Sequence, residues 1–219
     1  MKKISPEQKD DILLVDKPKG ITSFDVIRQL RRILKIKKMG HSGTLDPFAT
    51  GLLIVGIGKG TQKLSEYIGL SKTYIADIVL GIATDTGDST GNVLIEKDAS
   101  GVTKSDVEIK LSQMVGTLML PVPVYSAVKR QGEALYKKAR RGESVELPIK
   151  PMTIHKILLL DFNRDRKKIV CVVEMYVGSG AYVRSIAEEL GRRLGLPAMV
   201  QELRRISIGD FQIKDARTL

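Results

Sequence analysis

The chain has 219 residues, of which 42% are apolar, 36 are basic and 25 are acidic, so its formal net charge is +11 at pH 7. This length and composition indicate a folded globular protein with a sizeable core and exclude a disordered chain. There is no apolar run long enough to span a membrane, no apolar segment of a signal peptide, and only one cysteine, Cys171. We therefore expect a cytoplasmic protein without an internal disulfide and without a zinc site built from cysteines.

The basic residues are concentrated in two segments, RQLRRILKIKK at residues 28–38 and KRQGEALYKKARRGE at residues 129–143. Both overlap predicted helices, which is typical of proteins that bind a phosphate backbone. Ordinary surface composition is the alternative explanation for a basic excess. Neither segment has the Trp or Phe face of a helix that lies on a membrane, so nucleic acid is the favoured partner.

In chain order, DILLVDKP (residues 11–18) predicts a short strand that ends at Pro18 and Gly20. Thr22 and Asp25 have the spacing of a capping box and predict the start of a helix. The segment GHSGTLDPFATGLL (residues 40–53) follows as a glycine-rich loop, and GLLIVGIGKG (residues 51–60) as a strand that ends in a turn. The helix is predicted to expose its arginines and to bury one stripe of side chains, at Val26, Ile27, Leu30 and Ile33.

The second half of the chain predicts mostly strands. KTYIADIVLGIATDT (residues 72–86) reads as a long strand, and STGNVLIEK (residues 89–97) as its hairpin partner. PMTIHKILLLDF (residues 151–162) and KKIVCVVEMYVG (residues 167–178) are predicted to pair through the turn NRDRKK, and LPVPVYSAVK is extended because of its two prolines. Three helices are predicted: one from Thr103 that buries Val107, Leu111, Met114 and Val115, a basic one near residues 131–141, and AYVRSIAEELGRRLG, which Gly195 and Pro197 end. This order predicts one α+β domain around a largely antiparallel sheet.

Most chemical motifs are excluded by their spacing. His41 and His155 are far apart and no cysteine cluster accompanies them, so no metal site is predicted. GIGKGT matches no phosphate-binding loop and reads as a tight turn, and TDTGDSTG lacks the spacing of a calcium loop and reads as a hairpin turn. His155 is expected on a sheet surface and Cys171 in the core. We therefore predict no cofactor.

Asp46, between Leu45 and Pro47, is the remaining candidate. An aspartate before proline is commonly a turn residue, which is the ordinary interpretation. Against it, Pro47 biases Asp46 towards extended backbone, and three nearby glycines let another chain approach closely. A lone carboxylate can act as a nucleophile if its surroundings keep it ionised. From the residues alone, both interpretations stay open.

The segment GHSGTLDPFATGLL closely resembles the catalytic motif of the TruB family of tRNA pseudouridine synthases. Four further segments resemble family motifs in the family's order, between about residues 11 and 209: VDKPKGITSFDVI, KTYIADIVLGIATDTGDSTG, PVPVYSAVKRQGEALYKKARRGESVE and GSGAYVRSIAEELG. The resemblance implies the α+β pseudouridine synthase catalytic fold, a largely antiparallel mixed sheet flanked by helices. It implies a single catalytic domain over residues 1–219 with an RNA-gripping insertion at about 121–151.

The resemblance also implies an activity: isomerisation of a specific uridine to pseudouridine at position 55, in the T-loop of tRNA, without a cofactor. Asp46 would be the catalytic carboxylate, attacking the nucleoside or abstracting a proton from its sugar. Arg184 matches the family arginine that keeps this carboxylate ionised, and Tyr74 the tyrosine that stacks on the base and helps remove the C5 proton.

The resemblance further implies how the RNA is held. The target nucleotide would be flipped into a pocket lined by Tyr182, while His41 would fill the space it leaves. The other residues implied to contact substrate are Lys17, Lys19, Gly43, Thr44, Leu45, Lys129, Arg130, Lys137, Lys138, Arg140 and Arg141.

Two departures from the family pattern stand out. Gln62 occupies a position that is basic in many members, although Lys63 follows it. Many members also continue into a C-terminal RNA-binding PUA module, so a chain that ends at Leu219 is expected to lack one. We expect a monomer that acts on the T-arm of tRNA, with no guide RNA and no membrane. The alternatives are a guide-RNA-dependent synthase of the dyskerin type and a non-catalytic RNA-binding protein with the same fold.

Overall fold

The structure is a computed structural model that describes residues 11–130, 132–143 and 145–219. The N-terminal segment 1–10, for which we predicted no signal peptide, lies outside the described residues. The α-helices are α1 (Ser23–Leu34), α2 (Leu64–Ile68), α3 (Lys104–Ser112), α4 (Leu135–Arg140) and α5 (Val183–Arg193). The strands are β1 (Ile12–Lys17), β2 (Met39–Ser42), β3 (Thr50–Ile57), β4 (Lys72–Leu80), β5 (Ile82–Thr84), β6 (Val93–Glu96), β7 (Gly116–Pro121), β8 (Lys129–Arg130), β9 (Glu133–Ala134), β10 (Ile149–Asp165), β11 (Lys168–Val177), β12 (Ala198–Ile208), β13 (Phe211–Gln212) and β14 (Arg217–Thr218).

The chain forms two compact units. Of the described residues, the first unit comprises 11–75 and 203–219, and the second comprises 76–130, 132–143 and 145–202. Strands β4 and β12 each begin in one unit and end in the other. The prediction that residues 1–219 form a single domain stays a prediction.

The first unit is built around β3. This strand pairs antiparallel with β1 and β2 and parallel with β12, while β14 lies parallel to β1. Helix α1 packs against this part of the sheet, and its buried side chains join those of β1 and β3 in one apolar cluster. Burial of this cluster is the main favourable contribution to the stability of the unit.

The predicted start of α1 is confirmed. The side chain of Thr22 accepts a hydrogen bond from the Asp25 amide at 3.0 Å, and the Asp25 carboxylate accepts one from the Thr22 amide at 2.9 Å. The predicted stripe was wrong at its last position: Ile33 is 47% exposed, and Leu34 is buried instead. Leu34 follows Leu30 by four residues and therefore continues the same row on the helix surface.

Two further expectations in the first unit need correction. The glycine-rich segment is not a loop throughout, because β2 and β3 take up its two ends and leave residues 43–49 as the loop. The GIGKGT segment is not a simple turn, because its first two residues end β3 and the other four lie in a 3-10 helix, Gly58–Lys63.

The second unit contains the long antiparallel hairpin of β10 and β11, with β7 on the other side of β10. The predicted pairing of these two strands is confirmed, although the turn is shorter than NRDRKK because β10 extends to Asp165. His155 is exposed beside Tyr176, and Cys171 is buried, as expected. Burial raises the pKa of the Cys171 thiol to about 12.

Three expectations in the second unit were wrong. The strand from residue 72 does not continue unbroken to residue 86, because β4 ends before Gly81, whose φ is +99°. The predicted hairpin itself is confirmed, since β5, within the same segment, pairs with β6. Val115 is 50% exposed, and, like the buried Met114, it lies beyond α3, which ends at Ser112. The basic helix begins only at Leu135, after the small β8–β9 ribbon, and Gln131 lies outside the described residues.

The sheet pairs are mostly antiparallel, with parallel pairs at β1–β14 and β3–β12, so the predicted α+β class is confirmed. Within the described part of the chain, no helix combines the length and the apolar character needed to cross a membrane.

Candidate active site

The loop at residues 43–49, called the Asp46 loop below, joins β2 to β3 and holds Asp46 half-buried. The Ser23 hydroxyl fixes Leu45, accepting from its amide at 2.9 Å and donating to its carbonyl at 3.2 Å. The carbonyl of Pro47 accepts a hydrogen bond from the Gly20 amide at 2.8 Å. Asp46 therefore lies between two residues whose backbone is held in place, so its carboxylate is presented from a fixed support.

Lys17 is the last residue of β1, and its side chain contacts the same loop. Its side chain is fully buried, and its Nζ donates to the carbonyls of Pro18 at 2.9 Å, Ile21 at 2.8 Å and Pro47 at 3.4 Å. Desolvation lowers the pKa of Lys17 to about 8, while attraction by Asp46 acts in the opposite direction. A phosphate contact by Lys17 stays a prediction, and its burial and carbonyl partners favour a structural role. Lys19 is exposed.

Arg205 on β12 also reaches the Asp46 loop, and the sequence analysis missed it. This side chain is 1% exposed; its Nε donates to the Leu52 carbonyl at 2.7 Å and its Nη2 to the Gly43 carbonyl at 3.0 Å. The alternation of β12 contained a usable signal, because Leu203, Arg205 and Ser207 share one buried face.

Lys72 is a third buried cation in this unit and was also missed. Its Nζ donates to the carbonyls of Ile68 at 2.7 Å and Leu70 at 2.5 Å. Desolvation and, to a smaller degree, the charge of Arg205 lower the pKa of Lys72 to about 8.

His41, on β2, is half-buried, and burial together with the Arg205 charge lowers its pKa. Its Nδ1 is buried and has no hydrogen-bond partner among the described residues. A lowered pKa favours the neutral imidazole, which suits stacking on a base. Tyr74 is 8% exposed on the part of β4 that belongs to the first unit, and Thr44 is exposed in the Asp46 loop.

The second unit holds Arg184 at the start of α5, where it is 3% exposed. Its guanidinium donates to the carbonyls of Thr86 and Tyr125, both at 2.9 Å, and its Nη1 lies 3.6 Å from a carboxylate oxygen of Asp88. Asp88 is itself buried, and its other oxygen accepts from the Thr90 amide at 3.0 Å and from the Thr86 hydroxyl at 2.9 Å. The β5–β6 turn, predicted only as a hairpin turn, therefore orients Arg184.

Asp46 belongs to the first unit and Arg184 to the second, and their pairing stays a proposal. Tyr182 immediately precedes α5 and is half-buried, with its amide donating to the Met152 sulfur at 3.4 Å. Among the described residues, no three His, Cys, Asp or Glu side chains gather into a group that could hold a metal ion.

The predicted RNA-gripping residues differ in their surroundings. Acidic neighbours engage two arginines: Arg141 bonds Glu133 at 2.7 Å and Glu143 at 2.6 Å, and Arg130 bonds Glu146 at 2.6 Å. Lys138 is half-buried. The more exposed cations of the insertion, which suit phosphate contacts better, are Lys129, Lys137 and Arg140.

The basic face of α1 has a different form. Phe24 is 47% exposed, and the guanidinium groups of Arg28 and Arg31 lie 5.1 and 5.6 Å from the centre of its ring. An exposed aromatic ring with adjacent arginines is a surface on which nucleic-acid bases can stack.

Comparison with known proteins agrees with these features. A family model described as TruB family pseudouridylate synthase (N terminal domain) matches residues 31–183. The tRNA pseudouridine synthase B of Corynebacterium glutamicum is 38% identical over 215 residues, which are 98% of this chain and 72% of that relative. The enzyme of the same name from Fusobacterium nucleatum is 42% identical over 205 residues, 94% of this chain and 70% of the relative.

The fold and the sequence similarity to these relatives together identify the protein as an isomerase of the pseudouridine synthase class. Within that class, the chain belongs to the TruB family.

Solved structures confirm the fold. One chain of the crystal structure of a Cbf5–Nop10–Gar1 complex matches with a TM-score of 0.73 and 25% identity, over 99% of this chain and 55% of that one. A chain of an H/ACA RNP bound to a substrate RNA matches with a TM-score of 0.68 and 22% identity, over 94% of this chain and 50% of that one. The protein therefore spans about half the length of these chains.

Proposed function

We propose that the protein converts the uridine at position 55, in the T-loop of tRNA, to pseudouridine. The observation that carries this proposal is the anchored Asp46 loop, which presents one half-buried carboxylate in a chain of this family. The names of the relatives, tRNA pseudouridine synthase B, support tRNA as the substrate. The position in the T-loop rests on the family resemblance.

In the proposed reaction, Asp46 attacks the flipped nucleoside or removes a proton from its sugar, so that the bond between uracil N1 and the ribose breaks. The base then turns and forms a bond to the ribose through C5. The C5 proton leaves and N1 gains one, so the product is an isomer of the substrate. The nearby charge of Lys17 attracts the Asp46 carboxylate and favours its ionised form.

Three residues complete the proposed active site. Arg184 pairs with Asp46 and keeps it charged, Tyr74 stacks on the base and assists removal of the C5 proton, and Tyr182 lines the base pocket. The fixed orientation of the Arg184 guanidinium supports its part, because a preorganised charge costs no reorganisation during the reaction.

Substrate contacts outside the base pocket are proposed at two places. His41 fills the space left by the flipped nucleotide, beside Gly43, Thr44 and Leu45. The remaining contacts are made to the RNA backbone by Lys17, Lys19, Lys129, Arg130, Lys137, Lys138, Arg140 and Arg141.

We propose that the protein acts as a monomer in the cytoplasm, without a guide RNA. The higher identity to the tRNA pseudouridine synthase B relatives, 38 and 42% against 25% for the Cbf5 complex, supports a stand-alone enzyme. The similarity to the Cbf5 complex makes a guide-dependent synthase the second candidate.

The deciding experiment measures tritium release from tRNA labelled at uridine C5, using the protein alone. Asp46→Asn should reduce release by about 10⁴-fold or more while tRNA binding is kept, since the substitution removes the reacting group and little else. Asp210→Asn, an exposed acid in the same unit, is the matched control and should release tritium as the wild type does.

Each contrary outcome has a distinct meaning. Undiminished release by Asp46→Asn would overturn the mechanism, and release only after addition of a guide RNA would favour the second candidate. Binding of tRNA with no release by the wild type would indicate a binding protein. A tRNA with cytidine at position 55 tests the substrate position, and it should release no tritium from the T-loop.

A further inference from the structure

Arg205 is buried in a way that packing alone does not explain. Among the described residues, its hydrogen bonds go to two backbone carbonyls, those of Gly43 and Leu52. Burying a guanidinium carries a large desolvation cost, and an apolar side chain of similar size avoids it. The neighbouring cations add to this cost, since the charge of Arg205 acts on both Lys17 and Lys72.

The two carbonyls lie on either side of Asp46 in the chain. Gly43 is the first residue after β2, and Leu52 is the third residue of β3. The Asp46 loop runs between them, so one rigid guanidinium fork connects the start of this loop to the strand in which it ends. The Ser23 and Gly20 contacts hold the middle of the same loop.

Gly51 allows Arg205 to take this position. Arg205 is in register with Gly51 in the parallel pair of β12 and β3, and the φ of Gly51 is +108°. A Cβ atom at residue 51 would lie 2.3 Å from the Arg205 carbonyl oxygen and 2.7 Å from its backbone nitrogen. The two strands can therefore approach closely only because residue 51 has no side chain.

We propose that Arg205 is a positioning residue of the reaction: its guanidinium ties the start of the Asp46 loop to β3, the strand in which the loop ends, so that the carboxylate meets the nucleoside in one orientation. This inference rests on the proposed function in that Asp46 must be the reacting group. Its structural part, the restraint of the loop, can be measured without any turnover.

The test compares Arg205→Met, Arg205→Lys and the wild type by hydrogen exchange of the backbone amides and by single-turnover tritium release. In both variants we expect amides of residues 43–49 to exchange at least about tenfold faster. Arg205 donates to Leu52 and Gly43 from two separate nitrogens of one planar group, and neither a thioether nor the single nitrogen of a lysine reproduces this arrangement. Single-turnover release should fall by about 10²-fold, the loss typical of a misplaced reacting group, with the tRNA dissociation constant changed less than about threefold.

Arg204→Met is the matched control, because it removes the neighbouring arginine, whose hydrogen bonds go to Asp16 at 2.7 Å and to the Thr50 hydroxyl of β3 at 3.3 Å, outside residues 43–49. It should leave exchange at residues 43–49 unchanged. Arg205→Lys keeps a buried charge and most of the side-chain volume, so it remains informative if Arg205→Met does not fold.

Unchanged exchange at residues 43–49 would overturn the inference. So would faster exchange throughout the first unit with a proportional loss of tRNA binding, since Arg205 would then be a packing residue. Faster exchange confined to the loop, in a protein whose wild type releases no tritium, would support the restraint and overturn the proposed function instead.

Discussion

Three buried cations, Lys17, Lys72 and Arg205, lie in the unit that carries Asp46, and each is at most 6% exposed. Lysine and arginine are rarely buried to this extent. Each of the three donates to backbone carbonyls, which satisfy hydrogen bonds without neutralising charge. Of the three, Lys17 has a direct electrostatic interaction with Asp46, and its charge favours an ionised carboxylate there.

The buried charge of Lys17 predicts a measurable pH dependence of stability. Its pKa falls from 10.5 to about 8 on folding. Below pH 8 both states carry the proton, and the folded state bears the full cost of the buried charge. Between pH 8 and 10.5 the folded state loses the proton first, so the free energy of unfolding should rise with pH. Relative to Lys17→Met, the wild type should gain up to about 3 kcal/mol over this range.

Urea unfolding of both proteins at several pH values measures this difference. Lys19→Met is the control, because Lys19 is exposed two residues further along the chain. A constant difference between wild type and Lys17→Met from pH 7 to pH 10.5 would show that the ammonium is stabilised as well in the folded state as in water.

At the same scale, the sequence indicated some site residues and not others. Asp46 could be identified from the sequence because its neighbours, a proline and several glycines, indicate an unusual backbone at that point of the chain. Arg205 was not singled out, since an arginine in a strand is usually exposed and its burial depends on β3, far away in the chain. Asp88 was read as a turn residue because its contact with Arg184 has no local signature.

At the scale of elements, predictions that depend on neighbouring residues were reliable, whereas predictions that depend on tertiary contacts were not. The α1 capping box was predicted correctly, since all of its atoms lie within four residues. Which row of α1 is buried depends on the sheet, and Ile33 was therefore misassigned. The hairpin between the segments 72–86 and 89–97 was predicted correctly, through β5 and β6, but the break at Gly81 that separates β5 from β4 was not foreseen.

The β5–β6 turn is an element whose side chains support Arg184, and it yields a prediction. Asp88→Asn keeps the shape of the side chain but removes a buried negative charge 3.6 Å from the guanidinium. We expect the free energy of unfolding to fall by about 3 kcal/mol, as happens when one partner of a buried ion pair is removed. Tritium release should also slow, because Arg184 loses part of what orients it.

Asp85→Asn tests whether the effect belongs to the charge beside Arg184. Asp85 lies in the same turn, but its carboxylate accepts from the amide and side chain of Asn92, at 2.9 and 3.2 Å. Urea unfolding and tritium release should both separate the two variants. Equal losses in both would mean that the turn is needed only for its own conformation.

At the scale of the whole molecule, the net charge is +11, but the basic side chains differ in how available they are for contact with RNA. Arg130 and Arg141 are already paired with glutamates, and the cations around the Asp46 loop are buried. Exposed ion pairs contribute little to stability, but they reduce the charge available for a phosphate. The exposed cations of the insertion should therefore account for most of the insertion's affinity for RNA; they are Lys129, Lys137 and Arg140.

The salt dependence of tRNA binding shows whether these three cations contact phosphates or only add to the overall positive charge. Each phosphate contact contributes about 0.7 to 0.9 to the slope of log affinity against log salt concentration, through release of bound counterions. Replacing Lys129, Lys137 and Arg140 together by glutamine should therefore reduce the slope for tRNA binding by about 2 to 3.

The control replaces three other exposed lysines, Lys97, Lys156 and Lys167, and lowers the net charge equally. Filter binding at 50 to 200 mM salt, the order of concentration over which such contacts are resolved, provides the measurement. If both triple variants lose the same slope, the protein attracts tRNA through its overall charge, and the insertion has no special part in binding.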